Sequence, residues 1–468
     1  MGAALKKAIP AIGSTPKAMK HQNYSLTRMA ESDIIFDMSD PGTGKTYVQV
    51  AAFARRRRKS RVGGKALVLA TRSLLHAAWF CDIRKFAPDM KVSIAYAKNR
   101  AEAMHADADI YVTNHDAVKD LLKYPPAFWK DFDTLIIDES TAFKHHTSQR
   151  SKAVSKLAHK HFRYRTCMSG TPMSNGILDL WHQVFILDEG KRLGGSYYGF
   201  RNAACTPTQI GNNVNAVKWE DKEGVDVVVA DILKDITIRH KFEDCVDIPE
   251  NYRHAVPFQM EKKHAAAYQE MQDYHYVQLK KTGVSAVNGA VVYGKLLQIA
   301  SGAVYDDAGN YTLIDSSRYS LVLDLVEERE HSIVFFNWEH QKHELVKEAT
   351  KRGLTHAVFD GGTTDSSRSR IVVDYQEGKY QVLFAHPASA GHGLTLTRGT
   401  ATIWASPTYN LEHFLQGLKR VHRIGQTKRT ETIVVVAEGT IDEKVWEVCQ
   451  VKDAKQGQLL TMLKDELK

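Results

Sequence analysis

Asp40-Pro41-Gly42-Thr43-Gly44-Lys45-Thr46 follows the apolar run Asp33-Ile34-Ile35-Phe36-Asp37-Met38 and precedes an apolar-periodic stretch. That order reads as strand, phosphate loop, helix. Glycines in such a loop let backbone N–H groups close around phosphates, and the helix N-terminus favours their charge. Lys45 can reach the β- and γ-phosphates and Thr46 can offer a hydroxyl to Mg2+. Pro41, Gly42, Thr43, Gly44, Lys45 and Thr46 are therefore candidate nucleotide ligands. The strict pattern asks for glycine where Ser39 stands, so the match is to its relaxed form.

Two further clusters suit the same chemistry. Thr134-Leu135-Ile136-Ile137 is a short apolar strand ending in Asp138-Glu139, which puts two carboxylates at the carboxyl edge of a sheet, where a phosphate loop also lies. Asp138 can hold Mg2+, and Glu139 can orient and deprotonate a water attacking the γ-phosphate. Near the other end stands Gln416-Gly417-Leu418-Lys419-Arg420-Val421-His422-Arg423. On a helix, Gln416, Arg420 and Arg423 fall at i, i+4 and i+7, so one face is expected to carry an amide and two guanidinium groups. Guanidinium matches phosphate oxygens and can stabilise charge on a transferring phosphoryl group. A solvated basic helix is the plainer alternative for that segment taken alone.

These three segments, in this order, resemble the ATPase motifs of superfamily-2 helicases, and the wording of the last resembles the Swi/Snf-type DNA translocases. Gln22 resembles the upstream glutamine that reads adenine. Leu67 to Leu75 followed by Trp79, and Val112-Thr113-Asn114, resemble strand-end segments that touch the nucleic-acid backbone. Ser169-Gly170-Thr171-Pro172 with Asn175 resembles the motif linking hydrolysis to strand movement, and Ile238-Arg239-His240-Lys241 the basic stretch before a second lobe. Asn337-Trp338 ends what resembles that lobe's opening strand. Ser389-Ala390-Gly391-His392-Gly393 resembles the loop that contacts both DNA and nucleotide. The resemblance thus implies nucleic-acid contacts at Thr71, Arg72, Ser73, Asn114, Asn337, Trp338, Ser389 and Gly391. It also implies nucleotide contacts at Gln22 and Gly393. Thr71 in place of a usual proline, Ser140-Thr141 after the acidic pair, and Thr395 in place of asparagine depart from the pattern. The closest wording is that of small bacteriophage-encoded members.

The elements that must position these residues follow from periodicity. Strand-like runs at 66–70, 110–113, 134–137 and 164–168 alternate with helical stretches, as do runs at 333–336, 357–359, 381–385, 401–405 and 432–436. This is the pattern of parallel α/β sheets. The expected fold is α/β, with two RecA-like parallel-sheet lobes in tandem, as the resemblance implies. An N-terminal lobe at 1–190 carries the phosphate loop and Asp-Glu pair, 191–315 forms an insertion and helical connector, and 316–468 forms the C-terminal lobe with the arginines. Within the connector, 261–299 reads as long helices.

Composition narrows the class. The 468 residues suit roughly three domains, and 43% hydrophobic residues suffice for sizeable cores. A formal charge of +9 fits a polyanionic partner. The run Arg55-Arg56-Arg57-Arg58-Lys59 reads foremost as a solvated helix end, where cations are favoured. His145-His146 and the pair His159 and His161 lack partners at metal-ligand spacing and read as surface or nucleic-acid-facing. Five scattered cysteines without a C-x-x-C pair suggest neither disulfides nor zinc. No apolar run reaches the ~18 residues of a membrane span, and the first residues lack the order of a secretory signal. A cytoplasmic monomer is expected, in the host bacterial cytoplasm if phage-encoded, with no membrane partner.

The expected cofactors are ATP and Mg2+, and the expected partner is duplex or branched DNA, with replication or recombination proteins beside it. Three activities fit: a double-strand-tracking translocase that remodels DNA or displaces bound protein, a strand-separating helicase, and an ATP-switched binding or annealing factor.

Overall fold

The computed structural model describes residues 17–59, 64–72, 74–209, 217–274, 276–279, 282–285, 289–390 and 395–463. They fall into two compact units, Met1–Cys245 with Gln456–Lys468, and Val246–Lys455.

In the first unit seven strands form one wholly parallel sheet, in the order Val92–Ala95, Ile110–Asn114, Lys65–Ala70, Phe132–Asp138, Tyr164–Met168, Ile34–Asp37, Thr237–Ile238. Both faces are covered, which is why the strands read as continuous apolar runs. In Lys65–Ala70, Leu67 and Leu69 point into one cluster, with Trp129, Leu157 and Val184. Ala66, Val68 and Ala70 point into the other, with Phe53 and Trp79. Two of the seven strands, Val92–Ala95 and Thr237–Ile238, are short and lie at the edges, so periodicity does not reveal them. The basic stretch around Arg239 therefore follows an edge strand of the first unit's sheet. An antiparallel ribbon, Cys205–Gln209 with Val217–Asp221, also belongs to this unit.

The second unit has a six-stranded parallel sheet in the order Asn251–Phe258, Thr430–Ala437, Ala401–Trp404, Ser332–Phe335, Val382–Ala385, His356–Phe359. Here too alternate residues serve opposite faces: Val334 and Phe336 join one core, Ile333 and Phe335 the other. Asn251–Phe258 escapes sequence reading because every residue but Phe258 is exposed or half-exposed, in keeping with an edge position. The stretch 261–299 holds two helices, Lys262–Tyr274 and Gly289–Ala300, interrupted by a short ribbon of Tyr276–Leu279 and Thr282–Ser285.

Candidate nucleotide and nucleic-acid site

Ile34–Asp37 ends where the chain must turn sharply into the helix Lys45–Lys59. Gly42 and Gly44 make the turn at φ 93° and 83°, a region that L side chains avoid. A Cβ on Gly42 would also lie 2.9 Å from the Phe242 ring. Lys45 folds back over the loop, its Nζ donating to the carbonyls of Ser39 at 2.7 Å and Asp40 at 3.1 Å. Ser39, which departs from the strict motif, is buried and accepts from the His240 N–H through its hydroxyl. Asp40 is gripped from the same side: Arg239 Nη1 donates to its Oδ1 at 2.6 Å and to the Met38 carbonyl at 2.7 Å, and Phe242 N–H donates to Oδ2. Pro41 packs against Gly170, where a Cβ would come within 2.6 Å of the proline ring. Gln22 and His21 both donate to the Thr43 carbonyl, so the helix Lys20–Glu31 closes the loop from outside. Thr46 lies in the first turn of Lys45–Lys59.

Asp138 ends the strand Phe132–Asp138, two strands along the sheet from Ile34–Asp37. Burial pushes its carboxyl up; the Trp79 Nε1–H donating at 2.9 Å, the Lys45 charge and the Glu139 N–H pull it back. Trp79 is brought there by the π-helix Leu75–Phe80, a wound-out turn of the kind found at functional sites. His115 donates to the Asp138 carbonyl at 2.7 Å. Glu139 adopts the left-handed conformation, φ 50°, which turns it out of the strand line. Asp138 and Thr46 offer oxygen donors only, the type that a hard cation such as Mg2+ prefers.

In the second unit the helix Leu411–Val421 carries Gln416 and Arg420, both buried. Arg420 Nε donates to the Gln416 carbonyl at 2.7 Å. The expectation that Arg423 continues this helix is corrected: the helix ends at Val421, and Arg423 lies in the following turn. Gln426 is the physical reason. Its amide donates to the carbonyls of Val421, Gly399 and Thr397, tying the chain back, while Gly425 turns at φ 98°.

Thr71 and Arg72 follow Lys65–Ala70, and Asn114 ends the neighbouring strand with Ala70 opposite, so the three share one sheet edge. Arg72 lies over the Tyr96 ring at 5.0 Å, and Asn114 accepts from Arg100. In the second unit Asn337 donates to Ser406 O, Ser406 Oγ and Pro407 O, clamping two strand ends. Trp338 faces Tyr305, and Ser389 N–H donates to the His386 carbonyl. Ser73, Gly391 and Gly393 lie outside the described residues.

In the basic run at the end of Lys45–Lys59, Arg55, Arg58 and Lys59 are exposed while Arg56 and Arg57 are half-buried. Arg56 packs over Tyr164, Arg57 pairs with Asp109 and Arg58 with Asp89. Of the histidines, His146 stacks on Tyr197, His159 bonds the Phe185 carbonyl and His161 stacks on Trp129. Sequence reasoning missed His115; Arg239 and Phe242 stood in the recognised basic stretch but gave no sign of their bonds to Asp40. Trp79 stood in a recognised segment but gave no sign of its bond to Asp138.

Comparison with known proteins matches the SNF2-related domain at residues 21–300 and the helicase conserved C-terminal domain at 317–425. The chain belongs to the SNF2-related family. It is accordingly an ATP-using hydrolase of the superfamily-2 helicase and translocase type. A relative called putative protein p41, from Acyrthosiphon pisum secondary endosymbiont phage 1, is 29% identical over 90% of this chain and 93% of its own. The putative ATP-dependent helicase/translocase YwqA of Bacillus subtilis is 22% identical over 90% of this chain, which spans only 46% of that protein. Among solved structures, the Sulfolobus solfataricus SWI2/SNF2 ATPase core in complex with dsDNA matches 98% of this chain and 97% of its own, at 18% identity and TM-score 0.44. Among the described residues no helix is long and apolar enough to cross a membrane.

Proposed function

We propose that this chain is a DNA-dependent ATPase that translocates on double-stranded DNA and remodels DNA structures or protein–DNA complexes during replication or recombination. The division of the chemistry carries the reading: Lys45, Thr46, Asp138 and Glu139 belong to one compact unit, Gln416, Arg420 and Arg423 to the other. A phosphoryl-transfer site needs both a phosphate cradle and cations that stabilise the transition state, so neither unit is sufficient alone. In this reading ATP enters the loop of the first unit, and Lys45 exchanges the Ser39 and Asp40 carbonyls for phosphate oxygens. Mg2+ would be held by Thr46 and Asp138 and would offset phosphate charge there. Glu139 orients and deprotonates the attacking water. Gln416 positions the γ-phosphate, and Arg420 with Arg423 adds charge stabilisation of the kind worth ~10³ to 10⁵ in rate for an arginine finger. Duplex DNA stimulates hydrolysis, and repeated cycles advance the enzyme along the phosphate backbone. Such contacts position without reading sequence.

Lys45→Ala and Glu139→Gln are expected to abolish DNA-stimulated hydrolysis while leaving DNA binding largely intact. Wild-type turnover in either variant would refute these roles. A triplex-displacement assay beside a fork-unwinding assay tests the movement. Displacement without unwinding supports translocation, unwinding assigns a strand-separating helicase, and nucleotide-altered binding without either assigns a switch.

A further inference from the structure

The ribbon Cys205–Gln209 with Val217–Asp221 and the helix Tyr197–Ala204 before it have no part in the nucleotide site, yet they carry an uncommon side-chain arrangement. The Arg201 guanidinium lies 3.9 Å from the centre of the Trp219 ring and 5.1 Å from that of Tyr198. Its Nε is buried with no hydrogen-bond partner, and among the described residues it has no carboxylate in ion-pair range. The nearby Glu220 is engaged by Lys218 instead. Tyr198 stands 56% exposed. His146 stacks on the adjacent Tyr197 at 4.0 Å, 24° from parallel, and meets Tyr198 edge-on at 5.9 Å. The result is a run of π-faces with one uncompensated cation held among them.

Arg201 lies against two aromatic faces and its charge meets no carboxylate in ion-pair range among the described residues, so the rings and the cation stand together as one feature. A ligand that offers both a flat π-face and a negative charge suits that feature. An unpaired nucleotide does so: its base stacks on an aromatic ring and its phosphate meets the guanidinium. A base inside a duplex presents no free face, so the arrangement discriminates between the two forms.

The platform is also joined to the motor. Gly176, immediately after the segment Ser169–Asn175, turns at φ 132°, and a Cβ there would lie 3.5 Å from the carboxylate of Asp221 on the ribbon. His146 follows closely after the helix Ser140–Phe143, which continues from Asp138-Glu139. The ribbon thus lies beside the segment that follows the strand Tyr164–Met168, and His146 beside the segment that follows Asp138-Glu139.

We infer that Tyr198, Arg201 and Trp219 form a stacking site for an unpaired DNA strand, which directs the enzyme to branched rather than fully paired DNA. This rests on the DNA-dependent reading above and names the part of the substrate that the first unit selects. The test is fluorescence anisotropy with three labelled probes, oligo-dT, a blunt duplex and a forked duplex, using the full chain. The variants are Tyr198→Ala, whose side chain is mostly in solvent, together with Arg201→Gln and Arg201→Lys. ATP hydrolysis on blunt duplex is followed in parallel. Affinity for oligo-dT and fork should fall about 5- to 10-fold in Tyr198→Ala and Arg201→Gln, as for loss of one stacked base. Arg201→Lys should recover only part, because an ammonium keeps the charge without the plane. Duplex affinity and duplex-stimulated hydrolysis should stay within about 2-fold. An equal loss on all three probes, or no loss on any, overturns the inference. Failure of duplex DNA to stimulate the wild-type enzyme would instead overturn the translocase reading, and the oligo-dT comparison would stand apart from it.

Discussion

Asp138 shows how single side chains are set by their neighbours at the proposed nucleotide site. Burial pushes its carboxyl above the ordinary carboxylate range, and the Trp79 indole and Lys45 offset only part of that. His115 secures the adjoining carbonyl. Burial drives His115, His182 and His340 each down to about 4. When unfolded, each takes up its proton near 6.5. Their contribution is therefore complete above pH ~6.5 and is lost progressively as the pH falls towards 4, by up to about 3 kcal/mol apiece. Denaturant midpoints at pH 7.5 and pH 5 should differ accordingly. An unchanged midpoint would mean that water reaches these imidazoles in the folded protein.

At the scale of elements, side chains distant in sequence decide where helices stop and how strands are tied. Gln426 donates to three carbonyls just beyond the end of Leu411–Val421, where the chain turns and Arg423 lies outside the helix. Arg318, on the helix Ser317–Glu327, reaches Asp442 at 2.6 Å with both side chains almost wholly buried, and also donates to the Ala405 carbonyl. Asp442 accepts in addition from the Ala437 N–H, so the pair joins two strand ends to two helices. Removing one partner strands a buried charge. Arg318→Met should cost about 3–5 kcal/mol in equilibrium unfolding. Adding Asp442→Asn should return part of that loss, and a double variant no more stable than the single would argue against the pairing.

On the scale of the whole molecule, the chain leaves the first unit after Cys245 and contributes to it again from Gln456. Leu459, Leu460 and Leu463 are at most 4% exposed and belong to the same core as Phe36, Leu67 and Leu135. Each fully buried leucine is worth about 1.5–3 kcal/mol. Deleting residues 456–468 should lower the apparent melting temperature by at least about 5 °C. An unaltered melting curve would mean that the segment adds nothing to that core.

The phosphate loop, the Asp-Glu pair and most sheet strands were legible in the sequence because each depends on neighbours close along the chain. Glycine conformations, strand apolarity and helix starts are local matters. Edge strands such as Thr237–Ile238 and Asn251–Phe258 were not legible, since a short or half-exposed strand has no continuous apolar run. Nor were the partners of Asp40, Asp138 and Arg318. Arg239 lies 199 residues beyond Asp40, and Trp79 lies 59 before Asp138. Which buried cation meets which carboxylate depends on how the sheet orders its strands, and that order is settled by packing across the core.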